Sequence, residues 1–260
     1  MADYENPTLR GQATRADVID QGLRSYMLRI YNYMILGMIV TGLAAYSLFS
    51  LSFTLDPNLA VAKLQHSPYF LTQLGALIFG SPFIYVVMFA PFAFSLFLSF
   101  RIQSFSWRAA LMLFMTFSLV MGLSMSAIFA QFVAMDIVRV FFITAIAFGG
   151  LSLFGYTTKM DLSPMRSFLI MGVWGVVGAV FVNALVLQSG TFDYVISIVG
   201  VLVFGGVTAF QTQQLKSLYY EVGGVGEAAE RIAVAGAYVL YVSFINMFMF
   251  LLNLLGNRQD

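Results

Sequence analysis

The chain has 260 residues, of which 60% are hydrophobic and only 10% charged, with a net charge of +1 and no cysteine. A soluble domain carries about 25% charged residues and is roughly half apolar, so this much apolar surface has to face lipid. The absence of cysteine excludes disulfides, thiolate nucleophiles and iron–sulfur ligation, and the absence of a basic stripe excludes a nucleic-acid binder.

Residues 1–13 read as a polar, disordered tail. Thr14 and Asp17 form a capping pair ahead of an apolar stripe. Val18, Ile19, Leu23, Tyr26, Met27 and Ile30 share one helical face. Two arrangements fit this stripe: a short helix lying on the membrane surface, or an extension of the first span. The domain division used is an N-terminal cytoplasmic tail and interfacial helix over 1–30, a seven-span domain over 31–256 and a tail over 257–260. Residues 1–30 are too polar for a secretory signal, so the first span is expected to act as its own insertion signal.

Continuous apolar runs follow. A crossing helix needs about 20 apolar residues, whereas a membrane barrel shows short alternating segments. The predicted fold class is therefore all-α. The first span covers about Tyr31 to Phe53. Tyr69 to Phe79 is too short to cross and reads as interfacial or re-entrant. Ser81-Pro82 is a cap followed by proline at the first helical position, and opens a second span ending near Phe100. Pro91 lies inside it and is expected to kink it. The third span runs from about Ala109 to Phe132. The fourth runs from Asp136 to Tyr156, with Arg139 one turn in and placed to snorkel.

Ser163-Pro164 repeats the cap-then-proline signal and opens a fifth span ending near Leu187. Gly172, Gly175 and Gly178 on it point to close helix packing. Residues 188–191 form a tight connection. The sixth span runs from about Phe192 to Gln213, with Asp193 at its positive dipole end. A flexible connection containing Gly223, Gly224 and Gly226 leads to a seventh span over Ala228 to Leu255.

Lysine and arginine counts set the orientation. With the N-terminus inside, ten of the 13 basic residues fall on the cytoplasmic side, and Lys63, Arg139 and Arg258 fall outside. This bias favours seven spans with a cytoplasmic N-terminus. A six-span arrangement with a re-entrant last helix would place both ends inside, and the sparse C-terminal charge does not separate the two.

Several activities fail on inventory. None of the 12 acidic residues lies mid-span, which removes intramembrane aspartyl proteolysis and carboxylate proton relays. The single histidine, His66, sits in a loop, far from any nucleophile and short of a zinc site. GVGEAA at 224–229 has a dinucleotide-like spacing but follows no strand. No catalytic, cofactor or metal residues are expected, and the protein is not read as an enzyme. A small-solute transporter would be marked by inverted internal symmetry, and none is legible.

Three segments resemble the Bax inhibitor-1 family of multi-pass membrane proteins in its bacterial form: GLRSYMLRIYNYMILG at 22–37, FGYTTKMDLSPMRSFLIMG at 154–172 and LYVSFINMFMFLLNLLGNR at 240–258. The resemblance implies six helices packed around a central last helix. It implies residence in the inner membrane and a role in ion homeostasis through a pH-sensitive calcium leak. Some bacterial members are linked instead to regulation of an ATP-dependent membrane protease. The expected partners are thus the bilayer with calcium ions, or the bilayer with a membrane protease.

In the family picture, an aspartate on the sixth helix shares a proton with one on the seventh, which creates a switch near neutral pH. Here the matching positions are Gln211 in AFQTQQLK and Ser243 in LYVSFINMF. Neither titrates near neutrality. A Gln211–Ser243 contact would replace the shared proton. Alternatively, Gln211 rests at headgroup level with Gln213, Gln214 and Lys216, and Ser243 is a small packing residue. Asn246, one turn on, is expected to bond across to another helix, because a buried amide in lipid needs a partner. Arg101 either reaches inward to these groups or snorkels to phosphate.

Overall fold

A backbone in lipid must satisfy its N–H and C=O groups within its own segment, so the apolar runs become helices. The computed structural model describes residues 7–59, 61–63, 68–101, 104–222 and 226–259, and side chains from residue 21 onward except those of residues 59 and 63. Among the described residues, seven helices are long and apolar enough to span a membrane. Their outward faces carry exposed Met112, Ile146, Trp174 and Leu202. Large apolar side chains on the outside are the pattern expected of a surface solvated by lipid.

Helix α1 runs unbroken from Pro7 to Ser52. Of the two arrangements that fit the N-terminal stripe, the extension of the first span is the one seen, and residues 7–13, expected as a tail, are helical. No proline follows Pro7 until Pro57, so nothing interrupts the hydrogen-bond ladder. The stripe at Leu23, Tyr26, Met27 and Ile30 continues through Met34 and Ala45, all buried in the bundle. It is a packing face and not a surface-lying one.

Three two-residue strands follow: β1 (Phe53–Thr54), β2 (Ala62–Lys63) and β3 (Phe70–Leu71). They pair antiparallel in the order β1-β3-β2, with Phe53 and Ala62 both opposite Leu71. His66 lies outside the described residues. The apolar stretch after Tyr69 forms β3 and then the short helix α2 (Gln73–Phe79), whose cap Thr72 accepts a bond from the Gly75 amide at 3.2 Å.

Helix α3 covers Phe83–Arg101, and the Ser81 hydroxyl accepts from the Phe83 amide at 3.2 Å. Pro91 has no N–H to offer the carbonyl of Val87 one turn back. That carbonyl is bonded instead by the Ser124 hydroxyl from the next helix. The third span is broken, not continuous: α4 covers Trp107–Met125, Ser126 and Ala127 intervene, and α5 covers Ile128–Gln131. Ser126 bonds its own side chain to the Leu123 carbonyl at 2.7 Å, a local bond that competes with the helical ladder.

Helix α6 spans Ala134–Thr157 and α7 spans Arg166–Val182 after a tight turn at Ser163–Met165. A wide turn over Asn183–Leu187 closes α7, and Gln188 follows with φ 46°. Helix α8 covers Gly190–Val222 and α9 covers Glu227–Leu255. At 33 residues, α8 is roughly 50 Å long. It continues well past Gln213, where the apolar run ends.

Helices α8 and α9 are the most buried of the seven, with about half of each span covered. Helix α9 packs on α1, α4, α6 and α8 along its length and reaches α3 through Tyr238, whose hydroxyl is 2.6 Å from that of Ser95. Helix α7 packs on α8. Glycines permit the closest approaches. A Cβ at Gly155 would collide with the Ala209 carbonyl of α8, and one at Gly122 with the Thr41 carbonyl of α1. Of the three α7 glycines expected to pack closely, only Gly172 does so, against Val203. Gly175 and Gly178 face open space.

Candidate functional site

The four residues singled out by sequence divide into two that meet and two that do not join them. Ser243, on the α9 face packed against α8, is 2% exposed. Its hydroxyl donates to the Gln211 side-chain oxygen at 2.9 Å. The α8–α9 seam is therefore closed at this level by a neutral amide and a neutral hydroxyl. Asn246 does not bond across as expected. Its amide donates to the Val242 carbonyl of its own helix at 2.7 Å. A half-buried asparagine can satisfy itself this way because the carbonyl one turn back is always within reach. Arg101 is exposed at the end of α3 and stays out of the seam.

The glutamines after Gln211 have different roles. Gln213 clamps the α6–α7 loop: its oxygen accepts from the Leu162 amide at 2.8 Å, and its nitrogen donates to the Met160 carbonyl at 2.7 Å. Lys216 donates to the Tyr156 carbonyl at 2.9 Å and lies over the Tyr156 ring. Gln214 is exposed. Within the clamped loop, Asp161 accepts from Ser163, including its backbone amide at 2.9 Å. These bonds favour the ionised form and hold the carboxyl below its ordinary range.

Beside the seam lies a cavity of about 640 Å³, walled by α2, α3, α4, α5, α7, α8 and α9. It is mostly apolar, with Ser95, Ser124, Gln131 and Asn246 as its polar points. The wall is anchored by a buried hydroxyl pair, Thr41 and Tyr241, 2.5 Å apart, and Thr41 also reaches the Ser118 carbonyl at 2.9 Å. Outside the cavity lining, Tyr31, Ser152 and Thr212 form a hydroxyl chain with steps of 2.5 and 2.9 Å. The sequence offered no periodic signal for these contacts, because single hydroxyls inside apolar helices look the same whether paired or not.

Carboxylates sit at the two ends of the bundle. Glu230 pairs with Arg29 and accepts from the Tyr33 hydroxyl at 3.4 Å. At the other end, Asp136 receives the Asn257 side-chain and backbone N–H groups at 2.7 and 3.1 Å, and Arg139 lies 3.3 Å away. The residues after α9, expected as a free tail, are thereby tied to the α5–α6 junction. Gln259 adds a bond to the Gln131 carbonyl at 2.8 Å. Among the described residues, no group of three or more histidine, cysteine, aspartate or glutamate side chains could hold a metal ion.

The family model described as Inhibitor of apoptosis-promoting Bax1 matches residues 23–260. The inner membrane protein YbhL of Escherichia coli K12 is 34% identical over 249 residues, covering 94% of this chain and 98% of its own. A Caulobacter vibrioides protein is 39% identical over 249 residues, covering 95% of each chain. The Rickettsia prowazekii protein RP147 is 36% identical over 241 residues, covering 93% of each. The match spans all seven membrane helices and both partners of the Gln211–Ser243 contact, and the chain belongs to the Inhibitor of apoptosis-promoting Bax1 family of multi-pass membrane proteins.

Proposed function

We propose that this protein is a calcium or cation leak channel for ion homeostasis, whose closure does not respond to protonation at the α8–α9 seam. The observation that carries the second half is the 2.9 Å bond from Ser243 to Gln211. Neither partner gains or loses a proton near neutral pH. An aspartate pair there would share a proton and separate on full ionisation.

The cavity beside the seam supports the first half. Its Asn246 and serine oxygens are hard ligands of the kind calcium takes, and with no carboxylate among its lining residues it would hold an ion weakly. Weak binding suits passage, since an ion has also to leave. The same reading places the protein in the inner membrane, as the name of the YbhL relative supports. It puts the N-terminus in the cytoplasm. The helix ends bearing Arg24, Arg29, Arg101, Arg108, Lys159 and Arg166 are the ends that then face inward.

The test is calcium flux into vesicles containing the purified protein. Flux above that of protein-free vesicles is expected. A complete absence of flux, with a membrane protease captured from native membranes, would replace this reading with that of a non-conducting regulator.

A further inference from the structure

A groove of about 660 Å³ opens sideways between α1 and α6, on the opposite side of the bundle from the cavity described above. Its lining runs from Arg24 to Met38 on α1 and from Tyr156 to Ala145 on α6. At 1.5 Å per residue these stretches are roughly 21 and 16 Å long. One leaflet of hydrocarbon is about 15 Å deep, half of a 30 Å core. The groove therefore begins at headgroup level and ends near the bilayer centre.

Its interior has no polar group to offer. The Tyr31 hydroxyl is taken up by Ser152, and Ser152 by Thr212, so a polar solute entering here would lose its hydration without replacement. Its mouth is different. Arg24 is exposed and has no carboxylate partner among the described residues. Lys216 is not part of the lining, and its ammonium is held by the Tyr156 carbonyl. A cation at the phosphate level above an apolar slot one leaflet deep matches a lipid with an anionic headgroup.

We propose that this groove is a binding site for an anionic phospholipid drawn from the surrounding bilayer, with one acyl chain between α1 and α6 and its phosphate at Arg24. Gly149 keeps the slot open: a Cβ added there meets no atom within 4 Å, so a larger side chain fills the groove without displacing a helix.

The experiment is native mass spectrometry of the full-length protein, purified in mild detergent, stripped of lipid and titrated with phosphatidylglycerol or phosphatidylcholine. Half-occupancy by phosphatidylglycerol is expected at about fivefold lower concentration, the gain from one cation at an anionic headgroup. Arg24→Gln should bring the two lipids level, and Gly149→Leu should weaken both, with thermal unfolding midpoints close to wild type. Equal binding of the two lipids by the wild type would overturn the proposal, as would an undiminished preference in R24Q. Wild-type occupancy in G149L, or a protein dimer in place of the lipid adduct, would also overturn it.

Discussion

The Ser243 hydroxyl donates to the Gln211 side-chain oxygen across 2.9 Å and joins α9 to α8 without a titratable group. Interhelical bonds of this kind contribute roughly 0.6–2 kcal/mol in membranes. Ser243→Ala is expected to lower unfolding free energy in mixed micelles by an amount in that range. Gln211→Ala should cost a similar amount, and the double substitution should cost less than the two together, because the partners are shared. Strict additivity would show that the bond contributes nothing.

Gly155 lets α6 approach the Ala209 carbonyl of α8 more closely than any side chain allows. Gly155→Val has to push two buried backbones apart, and overpacking of this kind costs about 1–3 kcal/mol or more. A lower thermal midpoint is expected for G155V. Gly175→Ala, whose new methyl meets open space, should unfold within a degree or two of wild type, with any difference coming from helix propensity.

Asp136 ties the residues after α9 to the start of α6 through two N–H groups of Asn257. Asp136→Ala removes the single oxygen, Oδ2, that accepts both. Backbone amides of residues 257–259 should then exchange hydrogen severalfold faster and yield sooner to carboxypeptidase, while α9 up to Leu252 remains protected. Unchanged exchange at Asn257 and Gln259 would mean that Asp136 does not hold this strap.

Asp161 titrates below the ordinary carboxylate range because Ser163 bonds its ionised form. The group is depressed on folding, so its contribution is complete above the ordinary carboxylate range and is lost as pH falls through the lower, folded value. The α6–α7 loop should therefore keep its amide protection at neutral pH and lose it only in strong acid. Ser163→Ala removes the side-chain part of that bond and should move the onset of loosening to higher pH.

Much of this architecture was legible from apolar runs alone, because a lipid-facing helix needs length and hydrophobicity and little else. Ser81-Pro82 marked a helix start because the hydroxyl and the fixed proline φ act within one turn, whereas at Ser163-Pro164 only the proline does so and the serine hydroxyl bonds Asp161. The misses are also physical. The sequence left the continuity of α1 open and missed the length of α8, because polar residues continue a helix beyond the bilayer as readily as apolar ones, so the apolar boundary is not the helical one. The break at Ser126 depends on a side chain choosing its own backbone. The pairings Arg29–Glu230 and Asp136–Asn257 join residues far apart in sequence, at bundle ends where many charges are available. Gln211 and Ser243 were found only as departures from a family pattern, and the clamp by Gln213, two residues on, carried no such mark. Asn246 was expected to need a distant partner, when the nearest carbonyl was its own.

The most direct measurement is calcium flux through the purified protein in vesicles across a series from about pH 6 to pH 8, where a shared-proton carboxylate pair would titrate. The wild type is expected to give a flux that is flat with pH, and Gln211→Asp combined with Ser243→Asp should introduce a steep dependence. A steep pH dependence in the wild type, or a flat profile in the double aspartate variant, would contradict the assignment of the α8–α9 contact as the place where proton sensing is lost.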